Sequence, residues 1–359
     1  MPEIPKVSVI MAVHDGEDCI RISVESILNQ TFRDFEFIIV DDCSRDNTAE
    51  ILRSYRDKRI TIIRNDINLG QVKSLNKGIK SAKAEYLARI DADDFSYPDR
   101  LKRQLEFMEK HPEYAAVGSS AWRMYSRSGK KRLHKNANTF ARAVVSLFYT
   151  TPFLHVTVMA KRNAVLDAGG YDERFLICAD HALWSRLIQK GYRLMSMPDV
   201  LVRFNVAAES YSKKNEAIFV SEYTDILKEN IEQLTDLQAS DDEIKNLSHM
   251  FKLIPHNLTD DEFEKARVLF KNIFLNLRSP LKDINIPEKE IIRPLRMVHR
   301  HNATYHLRNF NISRSRAIIS EGMRMYGFYM PFFVIFIISF LGRFILQFLV
   351  RRRNAAYNV

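Results

Sequence analysis

The stretch ARIDADDFSYPDR (88–100) passes from an apolar run into three carboxylates, Asp91, Asp93 and Asp94, within four residues. Like charges that close repel one another, so the cluster implies a positive counterpart. Asp91 and Asp93 share parity at a strand end, and two such side chains can converge on one hard cation. A divalent ion held by one or two carboxylates keeps coordination positions open for phosphate oxygens. A calcium loop would need Asp or Asn at its fifth position and Gly at its sixth, where Phe95 and Ser96 stand, so that reading fails. Asp94 and Ser96 have a simpler use as caps for the helix that Pro98 begins. Two more polar clusters, His14-Asp15 and Asp41-Asp42, also follow apolar runs.

The elements that must position these clusters alternate in period. Residues 6–13 (KVSVIMAV), 35–40 (FEFIIV), 60–63 and 86–90 are apolar runs of strand length. Between them, Ile20, Val24, Ile27 and Leu28 recur at helical spacing, Asp46-Asn47-Thr48 offers an N-cap, and 71–82 follows the turn Asn68-Leu69-Gly70. Strands apolar on both faces, separated by helices, predict a mostly parallel sheet with right-handed crossovers. Ligands of such sheets gather at the carboxyl ends of the strands, where all three clusters fall. Further strands are expected at 115–124, 156–159 and 201–204, and a helix over 180–190 closed by Gly191. From about 216 to 320 the pattern is helical, including a stretch opened by Thr259-Asp260-Asp261-Glu262.

Composition narrows the class. With 46% hydrophobic and 27% charged residues among 359, a folded globule is expected rather than a disordered chain. A net charge of +10 would suit nucleic acid, but residues 291–359 hold eleven Arg, no Lys and one acid, Glu321, which accounts for the whole excess. No nucleic-acid partner is therefore expected. Cys19, Cys43 and Cys178 have no CxxC spacing, which excludes a disulfide framework or cysteine zinc site and fits a reducing compartment. The start MPEIPK has no apolar signal region, so export through a cleaved leader is not expected.

Near the C-terminus, the seventeen residues 326–342 are uncharged, followed by Arg343, the uncharged 344–350 and Arg351-Arg352-Arg353. A helix of that length reaches about 25 Å, short of the roughly 30 Å hydrocarbon core. With arginines on both flanks, an in-plane or re-entrant anchor on anionic lipid is expected rather than a clean crossing. A buried helical hairpin or a dimer interface is the alternative.

Neither GxGxxG nor GxxxxGK[ST] follows any strand, so a nucleotide would be held by strand-end loops and carboxylates. The pieces VSVIMAVHDGE (7–17), FEFIIVDDCSRDNT (35–48), NLGQVKSLNKGI (68–79), YLARIDADDFSYPDRL (86–101), HVTVMAKRNAVLDAGGYDERF (155–175) and ADHALWSRL (179–187) stand in this order. Together they resemble the inverting family 2 glycosyltransferases over about residues 5–205. The resemblance implies a GT-A type α/β fold, a mostly parallel sheet flanked by helices, here with a C-terminal α-helical extension and an apolar membrane-associated end. It divides the chain into a catalytic domain (1–215), an α-helical accessory region (216–320) and a basic, apolar membrane-associating segment (321–359).

By the same resemblance, Ala12, Val13 and His14 wrap the nucleobase and ribose of a donor. Ala12 stands where the family usually has Pro. Asp41 accepts a hydrogen bond from the base, while Asp42 caps the following turn. Gly70 and Lys73 lie beside the nucleotide, where Lys73 either offsets diphosphate charge or is a solvated helix lysine. Asp91, with Ala92 beside it, faces the ribose or the metal, and Asp93 binds the divalent metal, Mn2+ or Mg2+, directly. Asp180 is the base that takes the acceptor proton, and it can also cap its own helix. His155 lies on the acceptor side or is a structural histidine, and Trp184 packs beneath the site. Two departures stand out: Ala179 replaces the family's Glu, and Phe204-Asn205-Val206-Ala207 replaces a Tyr-Arg-x-His element.

The implied activity is hexosyl transfer with inversion from a nucleotide-diphosphate sugar, a UDP-sugar foremost. The acceptor is a hydroxyl of a saccharide or lipid-linked saccharide in cell-surface polysaccharide synthesis. The implied location is cytoplasmic, peripheral or monotopic at the inner membrane face, with the Arg-rich end on anionic lipid. A homo-oligomer is left open. Two other classes are carried: a sugar nucleotidyltransferase, opposed by the acidic 14–18 loop, and a catalytically degenerate nucleotide-sugar-binding membrane protein, motivated by Ala179 and Ala207.

Overall fold

Every residue of β1 (Val7–Val13) is buried, as a strand apolar on both faces requires at the centre of a sheet. The computed structural model describes residues 4–125, 129–206, 214–251, 258–308, 311–327 and 329–340. The chain divides into two compact units, 1–147 with 151–222, and 148–150 with 223–359.

In the first unit, β1 is followed by α1 (Ile20–Leu28), β2 (Phe35–Asp41), α2 (Thr48–Ser54), β3 (Ile60–Arg64), α3 (Gln71–Ser81) and β4 (Tyr86–Arg89). Then come β5 (Phe95–Ser96), α4 (Arg100–Lys110), β6 (Tyr114–Tyr125), β7 (Lys130–His134) and α5 (Phe140–Ser146). A helical turn His155–Thr157 leads to β8 (Met159–Lys161), α6 (Arg162–Asp167), α7 (Ala179–Gln189) and β9 (Arg193–Val206). The sheet order is β3-β2-β1-β4-β8-β6-β9-β5, with β7 paired to β6.

This corrects the expected mostly parallel sheet to a mixed one. The pairs β1–β2, β2–β3, β1–β4 and β6–β9 are parallel, whereas β4–β8, β6–β8, β6–β7 and β5–β9 are antiparallel. The antiparallel members β5 and β8 are two and three residues long, too short for any period to show in sequence. The expected strand at 156–159 is instead the turn His155–Thr157 running into β8. The expected strand at 201–204 is the end of the fourteen-residue β9.

Helices cover both faces. Val7, Val9 and Met11 pack with Ile20, Val24 and Ile27 of α1 and Leu101, Leu105 and Met108 of α4. On the other side Ile10, Leu75 and Ile79 of α3, and Leu183 and Trp184 of α7 line a small apolar cavity. Each fully buried side chain of this size contributes about 1.5–3 kcal/mol of transfer free energy. Gly191, at φ 86°, closes α7 as expected: its N–H donates to Ile188 O and that of Tyr192 to Leu187 O. The expected caps of α4 are corrected. Its N-cap is Asp99, Ser96 Oγ instead accepts from Arg100 Nη1, and Asp94 reaches across to β9.

The second unit is helical. It contains the rest of α8 (Glu216–Leu234), then α9 (Asp241–Phe251), α10 (Asp260–Leu275), α11 (Glu288–Arg308), α12 (Ile312–Tyr326) and α13 (Met330–Phe340). The capping box expected at Thr259 is formed, with the Thr259 side chain on the Glu262 amide and the Glu262 carboxylate returning to Thr259. The uncharged run 326–342 is not one helix. Gly327, at φ 74°, ends α12, and α13 covers eleven residues. Among the described residues no helix is long and apolar enough to cross a membrane. Ala207, Arg343, the run 344–350 and Arg351 to Arg353 lie outside the described residues.

Candidate active site

The loops at the carboxyl ends of β1, β2 and β4 enclose a cavity of about 420 Å3, in the size range of small-molecule sites. Its walls bring together six of the expected residues, Ala12, Val13, His14, Asp91, Ala92 and Asp93. Asp15, Gly16, Cys19, Asp42 and Gln71 complete them. The first two loops are tied to each other: Asp15 N donates to Ser44 Oγ, Gly16 N to Thr48 Oγ1, and Arg45 N to Asp15 Oδ1. Among the described residues the non-glycine positions with positive φ are Asp15 (51°) and Cys43 (62°), both in these loops, which is where strain is usually stored at functional sites.

Asp41 and Asp42 stand differently toward the cavity. Asp41 is 1% exposed, lies off the cavity wall, and uses Oδ1 to accept from Ser44 N at 2.9 Å, shaping the turn. Asp42 lies on the wall. Its Oδ1 accepts from Leu69 N and Asn65 Nδ2, and its Oδ2 from Gly70 N, all at 2.8 Å. Burial opposes its ionisation, but bonds from Asn65, Leu69, Gly70 and Ser74 hold its carboxyl below the ordinary value. Gly70 sits at φ 86° and ψ 159°, a conformation open essentially to glycine, and so presents its amide to Asp42. Gly70 and Lys73 are not on the cavity wall; Lys73 is exposed on α3, and the neighbouring Gln71 faces the cavity instead.

Each carboxylate of the acidic loop is handled differently. Arg89, at the end of β4, grips Asp91 with both terminal nitrogens, at 2.9 and 2.5 Å, and Gln71 Nε2 adds a third contact at 3.2 Å. Asp94 is fully buried, and burial followed by the fields of Asp91 and Asp93 pushes its carboxyl above the ordinary range. Its Oδ1 accepts from Asn205 N at 2.9 Å, and Asn205 Nδ2 donates to the Asp93 carbonyl. Ser23 Oγ in α1 donates to the carbonyls of Ala92 and Asp94, fixing the loop from below. That leaves Asp93 on the wall, raised in pKa by burial and by Asp91, and in no ion pair among the described residues.

Asp93 is thus the group that fits an added cation. Among the described residues no cluster of three or more His, Cys, Asp or Glu could hold a metal ion. A hard cation at Asp93 would complete its shell with ligand oxygens and water. Cys19, on the same wall, is pushed up to about 11 by burial and then by Asp93, so it is a protonated thiol and no nucleophile.

The second half of the unit supplies a neighbouring network. Tyr171 is held between α3 and the sheet by Asn76, whose amide bonds its backbone N and O. Burial keeps its phenol protonated, and its hydroxyl shares a 2.5 Å hydrogen bond with His155 Nε2. His155 is kept neutral by burial and then by Arg89. His155 lies off the wall of the main cavity. Trp184 is buried against Phe153 and His155, as expected. Asp180 lies in the first turn of α7, half-buried, with Oδ1 accepting from His181 N, and its charge and that of Asp91 both act on Tyr171.

Four residues of this site were not anticipated: Arg89, Gln71, Asn205 and Glu222. The last accepts the backbone N–H groups of Leu176, Ile177 and Cys178, at 2.7, 2.9 and 2.8 Å, on the segment that leads into Asp180. Arg89 lies two residues before Asp91 and could have been read as its partner; the others join segments far apart in sequence.

The family description Glycosyl transferase family 2 matches residues 8–170. The Bacillus subtilis (strain 168) protein named as glycosyltransferase EpsE is 32% identical over 216 residues, 59% of this chain and 77% of that protein. The chain belongs to glycosyltransferase family 2. A second relative in the family, WfaP of Escherichia coli, is 27% identical over 59% of this chain and 82% of its own. It is named a UDP-Glc:alpha-D-GlcNAc-diphosphoundecaprenol beta-1,3-glucosyltransferase. Among solved structures, S. aureus TarS 1-349 in complex with UDP superposes with a TM-score of 0.54 at 19% identity, covering 90% of this chain and 92% of that one. This family 2 enzyme therefore shares the GT-A-like fold, with its helical extension inside the likeness.

Proposed function

We propose that this glycosyltransferase moves a hexosyl group from a nucleotide-diphosphate sugar, a UDP-sugar first among them, to a hydroxyl of a lipid-linked saccharide, with inversion. The observation that carries the reading is Asp93, a desolvated carboxylate with no ion pair among the described residues, on the wall of a strand-end cavity whose other carboxylates, Asp15, Asp42 and Asp91, are already engaged. Asp93 would hold Mn2+ or Mg2+, and when bound such an ion supplies Lewis-acid stabilisation of the departing diphosphate.

The remaining work belongs to side chains of this chain. Asp42, Ala12, Val13 and His14 form the pocket for base and ribose, and His14 is oriented by Nδ1 against the Asp42 carbonyl at 2.8 Å. Asp91, fixed by Arg89 and Gln71, faces the ribose hydroxyls as a pre-oriented acceptor. Asp180 takes the proton of the acceptor hydroxyl as it attacks the anomeric carbon, and a single displacement inverts that centre. The amides bound by Glu222 keep the approach to Asp180 in place. The lipid-linked acceptor is supported by the activity in WfaP's name and by the eleven arginines of 291–359, which suit an anionic inner membrane face.

The test is a donor panel. Purified protein is incubated with UDP-, GDP- and dTDP-sugars, with Mn2+, with Mg2+ and with chelator, and release of nucleoside diphosphate by slow transfer of the sugar to water is followed. Release from at least one UDP-sugar, abolished by chelator, is expected. Metal-independent turnover, or sugar-1-phosphate as product, would overturn the reading.

A further inference from the structure

Strands β6, β7 and β9 carry a charge pattern that the assigned activity does not use. From 114 to 166 the sequence has nine Lys and Arg and no Asp or Glu. Trp122 and Met124 of β6 stand opposite Leu133 and Lys131 of β7, and beside Arg203 and Asn205 of β9. Phe95 of β5 pairs with Arg203 on its other side. Paired residues share one face of a sheet, and alternate residues return to it. Phe95, Arg203, Asn205, Trp122, Met124 and Lys131 therefore form one face. The side chains agree: Lys131 Nζ lies 5.1 Å from the centre of the Trp122 ring, and the Arg203 guanidinium 4.8 Å from that of Phe95.

This face adjoins the loop of the candidate site, because Asn205 Nδ2 donates to the Asp93 carbonyl. Lys131 is exposed on β7, which pairs only with β6, and Arg203 is half-buried. Neither cation has an ion pair among the described residues. A surface lysine is ordinarily a solvated charge. Here two cations are oriented by aromatic faces without being neutralised, beside a loop whose carboxylates await a cation. The half-buried Trp122 and Met124 lie between the strands that bear them.

We propose that this face, with Lys131 and Arg203 as its cations, docks the diphosphate of a lipid-linked saccharide acceptor. The proposal rests on the lipid-linked acceptor of the proposed function and names where its anionic link is held. Phosphate oxygens take charge-assisted hydrogen bonds from both side chains, and the planar Arg203 guanidinium meets two oxygens at once. The Trp122 and Met124 floor suits the adjoining lipid carbons better than a free phosphate ion. With the donor's diphosphate at Asp93 and the acceptor's at this face, the acceptor sugar bridges two adjacent sites of opposite charge.

Binding of farnesyl diphosphate to the full chain, followed by calorimetry in metal-free buffer with chelator, tests the proposal with the cation site silent. Wild type, Asp93→Asn, Lys131→Gln and Arg203→Gln are compared, with circular dichroism and thermal melting as controls for folding. Wild type and Asp93→Asn should bind within about twofold of each other, and each charge variant about tenfold more weakly, the scale of one hydrogen bond to a charged group. Lys131 is a surface residue, so Lys131→Gln serves if Arg203→Gln does not fold. Absent binding, binding undiminished in both charge variants, or binding lost in Asp93→Asn would each overturn the proposal. So would inorganic pyrophosphate binding as tightly as the farnesyl ester. An equal loss of phosphatidylglycerol-vesicle binding in the same variants would mark a bilayer contact instead, and would overturn it too. Donor turnover without diphosphate binding here refutes this proposal alone. Diphosphate binding without donor turnover refutes only the assigned activity.

Discussion

Three carboxylates coexist in the loop after β4 because each has a different electrostatic state. Asp91 is paired with Arg89, Asp94 is buried with its carboxyl pushed above the ordinary range, and Asp93 on the cavity wall has no ion pair among the described residues. The cluster was visible in the sequence, but that division was not, since it depends on burial and on which side chain turns inward. Asp41 and Asp42 teach the same lesson. Adjacent residues on a strand end point to opposite sides, and the sequence offers no parity mark to say which one meets the cavity. Replacing Asp42 by Ala should leave the Leu69 amide without its partner and the Gly70 amide with Asn68 Oδ1 alone, costing about 1–3 kcal/mol and weakening nucleotide binding. The Asp42 carboxyl titrates lower in the folded state than in the unfolded chain. Its stabilisation is therefore complete above the ordinary carboxylate range and fades as pH falls through the folded value. Urea denaturation at pH 7 and near pH 3 should show the Asp42→Ala deficit shrinking in acid; a constant deficit would count against the charged hydrogen-bond network.

At the scale of elements, the parallel half of the sheet was legible because β1, β2 and β4 are continuous apolar runs with helices between them. The antiparallel half was not, because β5 and β8 are shorter than one alternation and β7 is the charged edge segment KKRLH. The tie between α8 and the entry to α7 had no sequence signal at all: a carboxylate met by three backbone amides leaves no mark on those residues' identities. Glu222→Leu should destabilise the first unit by about 2–4 kcal/mol, with Glu222→Gln intermediate because its amide has one acceptor oxygen. Both should lower the transfer rate more than they weaken nucleotide binding. Equal kcat in the Gln variant and wild type would show that the tie does not position Asp180.

For the whole molecule, residues 1–290 are neutral in sum and the arginines of 291–359 supply the +10. The sequence suggested one apolar segment at 326–342, but Gly327 breaks it, a break that a hydropathy count cannot see. On α13, Met330, Phe333, Val334 and Ile337 remain 41–58% exposed at helical spacing. If that end meets a membrane surface, the full chain should co-sediment with anionic phosphatidylglycerol vesicles, weaken as salt rises, and lose binding when 328–359 are deleted. Equal sedimentation with neutral vesicles, or retention by the truncated chain, would contradict the electrostatic part of that account.

Direct displacement by an acceptor deprotonated at Asp180 is tested most closely by the Asp180→Asn variant. Nucleoside diphosphate affinity and single-turnover transfer are measured on the same sample, with Mn2+ and the donor identified by the panel. Affinity should stay within about twofold of wild type, while transfer falls by at least about 10²-fold, the scale of a lost general base. Transfer at the wild-type rate with intact nucleotide binding would contradict the account.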